Sequence, residues 1–194
     1  TALFASYSYT NKKLKTNISV RQELSKKIFV PFTYSMGADY QFTKYLSLRA
    51  NVSKIYRIPS FNDLYWSPGG NPNLLPESGY SKEAGLNIKL KSNDERIVFN
   101  TEATVFTRNV ENWIIWLPEI NYWSPKNIMN VHSYGMETNS TLTIKLNKAK
   151  ISFSGLTNYV VSANQQTKTT NDASVGKQLI YVPMYSGQAK VCLE

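Results

Sequence analysis

The stretch FTYSMGADYQF, Phe32 to Phe42, sorts its side chains by parity. Phe32, Tyr34, Met36, Ala38, Tyr40 and Phe42 fall on one face, and Thr33, Ser35, Gly37, Asp39 and Gln41 on the other. A period of two is the mark of a β-strand with two chemically different faces. The same split recurs downstream. From Leu46, Leu48, Ala50 and Val52 oppose Ser47, Arg49, Asn51 and Ser53; from Ala84, Leu86, Ile88 and Leu90 oppose Glu83, Asn87, Lys89 and Lys91. Met136, Leu142, Ile144 and Leu146 stand against Glu137, Asn139, Thr141, Thr143 and Lys145. Helical periodicity is almost absent.

About nine strands follow from this pattern: Ala2 to Tyr9, Lys15 to Leu24, Phe32 to Phe42, Tyr45 to Tyr56, Gly79 to Lys91, Arg96 to Asn109, Asn127 to Asn147, Ala149 to Ala163 and Gln178 to Val191. The links between them alternate in length. Short ones at Thr10 to Leu14, Thr43-Lys44, Ser92 to Glu95 and around Lys148 take turns with long ones at Ser25 to Pro31, Arg57 to Ser78, Val110 to Lys126 and Asn164 to Lys177. Tight turns at one end and long loops at the other are the organisation of a bacterial outer-membrane barrel. A soluble antiparallel sheet or sandwich, whose apolar stripes form a core, is the alternative, because alternation alone does not separate a lipid-facing stripe from a core-facing one. Long strands, charges on the polar face and Tyr or Trp near strand ends favour the barrel.

Composition narrows the chemistry. The 194 residues are 42% hydrophobic and 13% aromatic, enough for one folded domain. A lone cysteine, Cys192, and a lone histidine, His132, supply neither a disulfide nor a zinc ligand set, so His132 reads as structural. The net charge of +9 suits an anionic partner. Lys12, Lys13, Lys26, Lys27, Lys148 and Lys150 fall mainly in turns, as a solvated rim or a surface attracted to lipid A phosphates or an anionic chelate. No apolar run reaches the roughly 18 residues of a spanning helix, and Thr1-Ala2-Leu3-Phe4 does not open a signal peptide; neither bears on a β-barrel, whose strands need roughly 9 to 11 residues. Arg49, Glu83, Glu102 and Glu137 share the polar faces, where cross-strand ion pairs are expected. No Ser/His/Asp or Cys/His set and no phosphate loop accompanies these acids, so the chain reads as no enzyme, with no cofactor and no metal.

One segment is specific. NVSKIYRIPSFNDLYWSPGGNPNLLPESGYSKEAGLNIKL, Asn51 to Leu90, resembles the barrel of TonB-dependent outer-membrane receptors. The matching residues are Arg57, Pro59, Ser60, Phe61, Asp63, Leu64 and Tyr65, then Gly70, Asn71, Pro72, Leu74, Pro76 and Glu77, then Glu83 and Gly85. NVHSYGMET, Asn130 to Thr138, and YVPMYSGQAKV, Tyr181 to Val191, are similar to two later strands of the family. The resemblance implies an all-β, antiparallel up-and-down transmembrane β-barrel segment in the bacterial outer membrane. About nine strands do not enclose a barrel of about 22, so residues 1–194 are expected to be a partial, C-terminal barrel without plug or TonB box. Implied partners are outer-membrane lipid and lipopolysaccharide, the missing plug and remaining strands, TonB acting through that plug, and a small-molecule or chelate ligand such as cobalamin or an iron-siderophore. Nucleic acid is not among them. A soluble domain binding carbohydrate or nucleic acid, and a passive structural barrel or adhesin, are the competing functions.

Within the motif, Pro59, Pro72 and Pro76 fix φ, Pro68, Gly69 and Gly70 shape the return of the loop, and Arg57 and Glu77 stand at its two feet, where a charge-assisted pair would hold register. Tyr65, Trp66 and Asn71 in this loop, with Trp113, Trp116, Asn121, Tyr122 and Trp123 in the next, are the ligand-contact candidates, offering stacking faces and hydrogen bonds. Anchoring in lipid headgroups is the alternative role for the aromatics.

Overall fold

A computed structural model describes residues 1–24, 30–167, 175–180 and 182–194. Among them nine antiparallel strands form one sheet in sequence order: β1 (Ala2–Thr10), β2 (Leu14–Glu23), β3 (Thr33–Thr43), β4 (Leu46–Arg57), β5 (Glu77–Lys91), β6 (Ile97–Pro118), β7 (Trp123–Lys145), β8 (Lys150–Thr167) and β9 (Tyr185–Leu193). One helix, α1 (Phe61–Tyr65), interrupts the link from β4 to β5. Lys26, Lys27 and Tyr181 of the sequence reading lie outside the described residues.

Register keeps the parity of the sequence across strands, since a slip of one residue would turn a whole strand inside out. Tyr7, Ile18, Met36 and Val52 stand side by side on one face, and Asn17, Gly37, Asn51 and Glu83 on the other. The two faces are buried in the reverse of the soluble order. Met36 and Val105 on the apolar face are 51% and 54% exposed, whereas Thr104 and Ser162 on the polar face are 8% and 5% exposed. Sheet curvature does this: one hollow of about 490 Å³ on the polar side is lined from Ser8 of β1 to Gly85 of β5. Hydroxyls on the apolar face satisfy one another, Thr101 with Ser140 and Thr138 with Thr157, each at 2.7 Å. That is the arrangement a solvent without hydrogen-bonding groups demands.

Aromatics mark the ends of the apolar band. Tyr34 and Phe42 on β3 are separated by about 27 Å at the antiparallel rise, which strand tilt brings within the band of about 25 Å typical of outer-membrane barrels. Tyr40 meets Phe42 edge-on at 4.8 Å, and the Lys44 ammonium lies 4.8 Å from the Tyr45 ring centre.

The buried apolar side chains gather at the long-loop end. Val110, Ile114, Met129 and Val131 pack in the β6–β7 hairpin, with Leu74 of the preceding loop. Here the strands outrun the sequence reading: Val110 to Lys126, expected as a loop, is mostly strand, with a turn closed by Glu119 N–H donating to Tyr122 O at 2.7 Å. The reason is a bulge. Asn112 adopts φ 56°, and register shifts between Val110 and Ile114, so the alternation breaks where the strand does not. β8 likewise runs past Ala163, and β9 begins at Tyr185 instead of Gln178, which makes only an isolated bridge to Ala163.

Candidate functional site

The loop from β4 to β5 is built on two buried carboxylates. Pro59 is buried and preorganises the turn into α1. Ser60 caps that helix: Asp63 N–H donates to Ser60 Oγ at 3.1 Å, and Ser60 N–H and Oγ–H both donate to Asp63 Oδ2 at 2.8 Å, a reciprocal capping box. Asp63 Oδ1 is left free to accept the indole N–H of Trp116 at 2.9 Å, from the next hairpin. Burial pushes the Asp63 carboxyl up, yet the hydrogen bonds from Ser60 and Trp116 and the nearby Arg57 charge outweigh it and hold the group below its ordinary value.

Arg57, at the end of β4, donates through Nε and Nη2 to the two oxygens of Glu77 at 2.8 and 2.6 Å, and through Nη1 to Asp63 at 3.5 Å. Glu77 Oε1 also accepts the buried Ile114 N–H at 2.8 Å. The fork therefore joins both feet of the first loop and pins the second hairpin to them.

Further contacts weld the two into a single collar. Asn71 Nδ2 donates to Pro125 O at 3.2 Å, and Asn127 exchanges hydrogen bonds with both backbone groups of Leu75, at 2.8 and 3.0 Å. A Cβ on Gly69 would run into the Trp123 carbonyl, so only glycine permits this approach.

The structure separates the ligand-contact candidates. Asn71 and the Trp116 indole N–H are engaged in the collar. Tyr65, Trp66, Asn121, Tyr122 and Trp123 are exposed on its rim. Trp113 instead lines a hollow of about 370 Å³ on the polar face, with Phe106, Arg108, Glu83 and Glu137. Pro72 is exposed and Pro76 half-buried along the loop's return. His132 shares a hydrogen bond with Thr107 at 2.9 Å. No group of three or more metal-ligating side chains occurs among the described residues.

On the polar face Arg49 reaches over β5 to hydrogen-bond Thr104 Oγ1 at 3.1 Å and to pair with Glu102. Gly85 makes the crossing possible, since a Cβ there would lie 3.2 Å from Arg49 Nε. Sequence reasoning passed over Arg108, Phe106 and Asn127. Phe106 carried a signal, an aromatic ring on the polar parity of its strand.

The chain matches the family described as TonB dependent receptor-like, beta-barrel, over residues 1–191. It is 26% identical over 138 residues to the vitamin B12 transporter BtuB of Vibrio vulnificus, covering 70% of this chain and 22% of that protein. The BtuB of Photobacterium profundum is 28% identical over 142 residues, with 71% and 22% covered. The chain thus spans about a fifth of the length of these relatives. Among solved structures, the siderophore receptor PirA from Pseudomonas aeruginosa superposes with a TM-score of 0.68 at 16% identity, covering 84% of this chain and 34% of that one. The RagAB peptide importer superposes at 0.62 and 17% identity, covering 88% and 22%.

Proposed function

Because this chain belongs to the TonB-dependent receptor β-barrel family, whose members are outer-membrane transporters and not enzymes, we propose that it supplies barrel wall and outer loops to a receptor importing a scarce ligand. The ligand is cobalamin, an iron-siderophore or a similar chelate. Energy comes from TonB acting on a plug within the completed barrel, and residues 1–194 form a C-terminal part of that barrel. The observation that carries the reading is the inverted sheet. Its apolar face is the exposed one, its polar face is the hollowed one, and the β4–β5 loop and the β6–β7 hairpin are pinned together at the long-loop end. A rigid collar presents the rim aromatics in fixed positions, so a ligand does not have to order them on binding.

The test is uptake by the full-length receptor in outer membranes lacking other cobalamin and siderophore receptors. Saturable uptake of labelled cyanocobalamin or a ferric siderophore, abolished when TonB is removed, is expected. Uptake that neither saturates nor depends on TonB would make this a passive barrel.

A further inference from the structure

We propose that the short-turn end of the sheet binds the anionic headgroups of glycerophospholipids, such as phosphatidylglycerol, in the leaflet that faces the periplasm. The inference rests on the outer-membrane barrel and is independent of the ligand imported.

The chain's charge is concentrated at one end. Residues 10–15, 43–45, 89–96 and 145–150, the four short links with the strand ends flanking them, carry ten Lys or Arg against two acids, in a chain of net charge +9. Those acids are paired locally, Glu95 with Lys91 at 3.1 Å and Asp94 with Arg96 at 3.5 Å, and Lys150 takes Glu194 at 2.7 Å. Among the described residues no carboxylate pairs with the side chains of Lys12, Lys13, Lys44 or Lys148. The Lys44 ammonium lies over the Tyr45 ring instead. At the long-loop end, by contrast, Arg21, Arg57 and Lys126 each have a carboxylate, from Glu23, Glu77 and Glu119.

Tight turns fix the height of these four lysines. Asn11 Oδ1 accepts from the N–H groups of Lys13 and Leu14 at 2.8 Å, and Thr43 Oγ1 from those of Tyr45 and Leu46 at 3.1 Å. Leu146 N–H donates to Ala149 O at 2.7 Å. Each lysine therefore stands within two residues, about 7 Å along a strand, of the last member of an apolar stripe, Leu14, Phe42 or Leu146. A lysine that close to the end of the apolar band extends its ammonium to the depth of the headgroup phosphates. A soluble acidic partner would need no such alignment with the band.

The end of the barrel decides which lipid is met. Short turns of an outer-membrane barrel are periplasmic, so lipid A, in the opposite leaflet, is out of reach and the anions at this depth are phosphodiesters. Attraction to an anionic surface is about fivefold per lysine, accumulates over a cluster, and fades beyond a Debye length of about 8 Å.

Electron spin resonance of spin-labelled lipids around the full-length receptor in phosphatidylcholine vesicles tests this. Labelled phosphatidylglycerol is expected to associate about threefold more strongly than labelled phosphatidylcholine at low salt, with the preference falling as sodium chloride is raised. The quadruple variant Lys12→Gln, Lys13→Gln, Lys44→Gln, Lys148→Gln should lose most of that preference, and Arg21→Gln, at the long-loop end, should keep it. Heat-modifiable gel mobility checks that each variant is folded. Equal association of the two lipids with the unaltered receptor would overturn the proposal, and binding of soluble polyglutamate in that case would assign the lysines to an acidic protein. A preference that survives in the folded quadruple variant would overturn it as well.

Discussion

Asp63 sits where three segments meet, and its protonation state is coupled to all of them. It accepts from Ser60, from Trp116 across the loop boundary and from Arg57, while 5% exposed. Its carboxyl is held below the ordinary 3.8 of an aspartate, so the stability it contributes is present above that value and is lost as pH falls through the lower, folded one. Trp116 fluorescence should therefore be flat from neutral pH down to about 4 and change only in stronger acid. Asp63→Ala orphans the indole N–H and should cost about 1–3 kcal/mol of collar stability, read as faster proteolysis of the outer loops with the membrane-embedded strands still folded. An unaltered cleavage rate would show that Asp63 does not join the loops. Arg57→Lys should also loosen the collar, because an ammonium cannot reproduce the two-pronged contact with Glu77.

At the level of elements, the β6–β7 hairpin depends on one irregular residue. Asn112 has φ 56°, a conformation that asparagine and glycine tolerate and β-branched residues do not. Asn112→Val should cost about 1–3 kcal/mol and reorient Trp113, visible in near-ultraviolet circular dichroism, whereas Asn112→Gly should be close to silent. Equal spectra for the two variants would refute the role of the bulge. The same residue explains what the sequence conceals. Alternation reveals β3, β4 and β5 almost to their ends because their period is unbroken, but the bulge inverts parity after Val110 and disguises the hairpin from Val110 to Lys126 as a loop. Helix α1, of five residues, is too short for a 3.6-residue period to register, although Ser60 and Asp63 stand at capping-box spacing. The hollow that Trp113 lines is hidden for a related reason: which face Trp113 takes depends on the bulge, and the strands that complete the lining are brought together by pairings made far along the chain.

For the molecule as a whole, the inverted faces make a sharp prediction from two adjacent residues. Leu86, midway between Tyr80 and Leu90 on the apolar face of β5, and Asn87, on the polar face opposite Glu102, point in opposite directions. Leu86→Arg should destabilise the barrel by about 2–4 kcal/mol, the cost of a cation near the bilayer midplane, and Asn87→Arg by much less, as measured by denaturant unfolding of the full-length receptor in phospholipid vesicles. Similar small costs at both positions would mean that water, not lipid, covers the apolar face. The strand order carries one more consequence, for assembly. Among the described residues every strand is hydrogen-bonded only to its neighbours in sequence, so each pairing closes a short stretch of chain at modest entropic cost. The wall can be laid down hairpin by hairpin, each arrival templated by the strand before it, so that at any moment only the two edge strands carry unpaired amides.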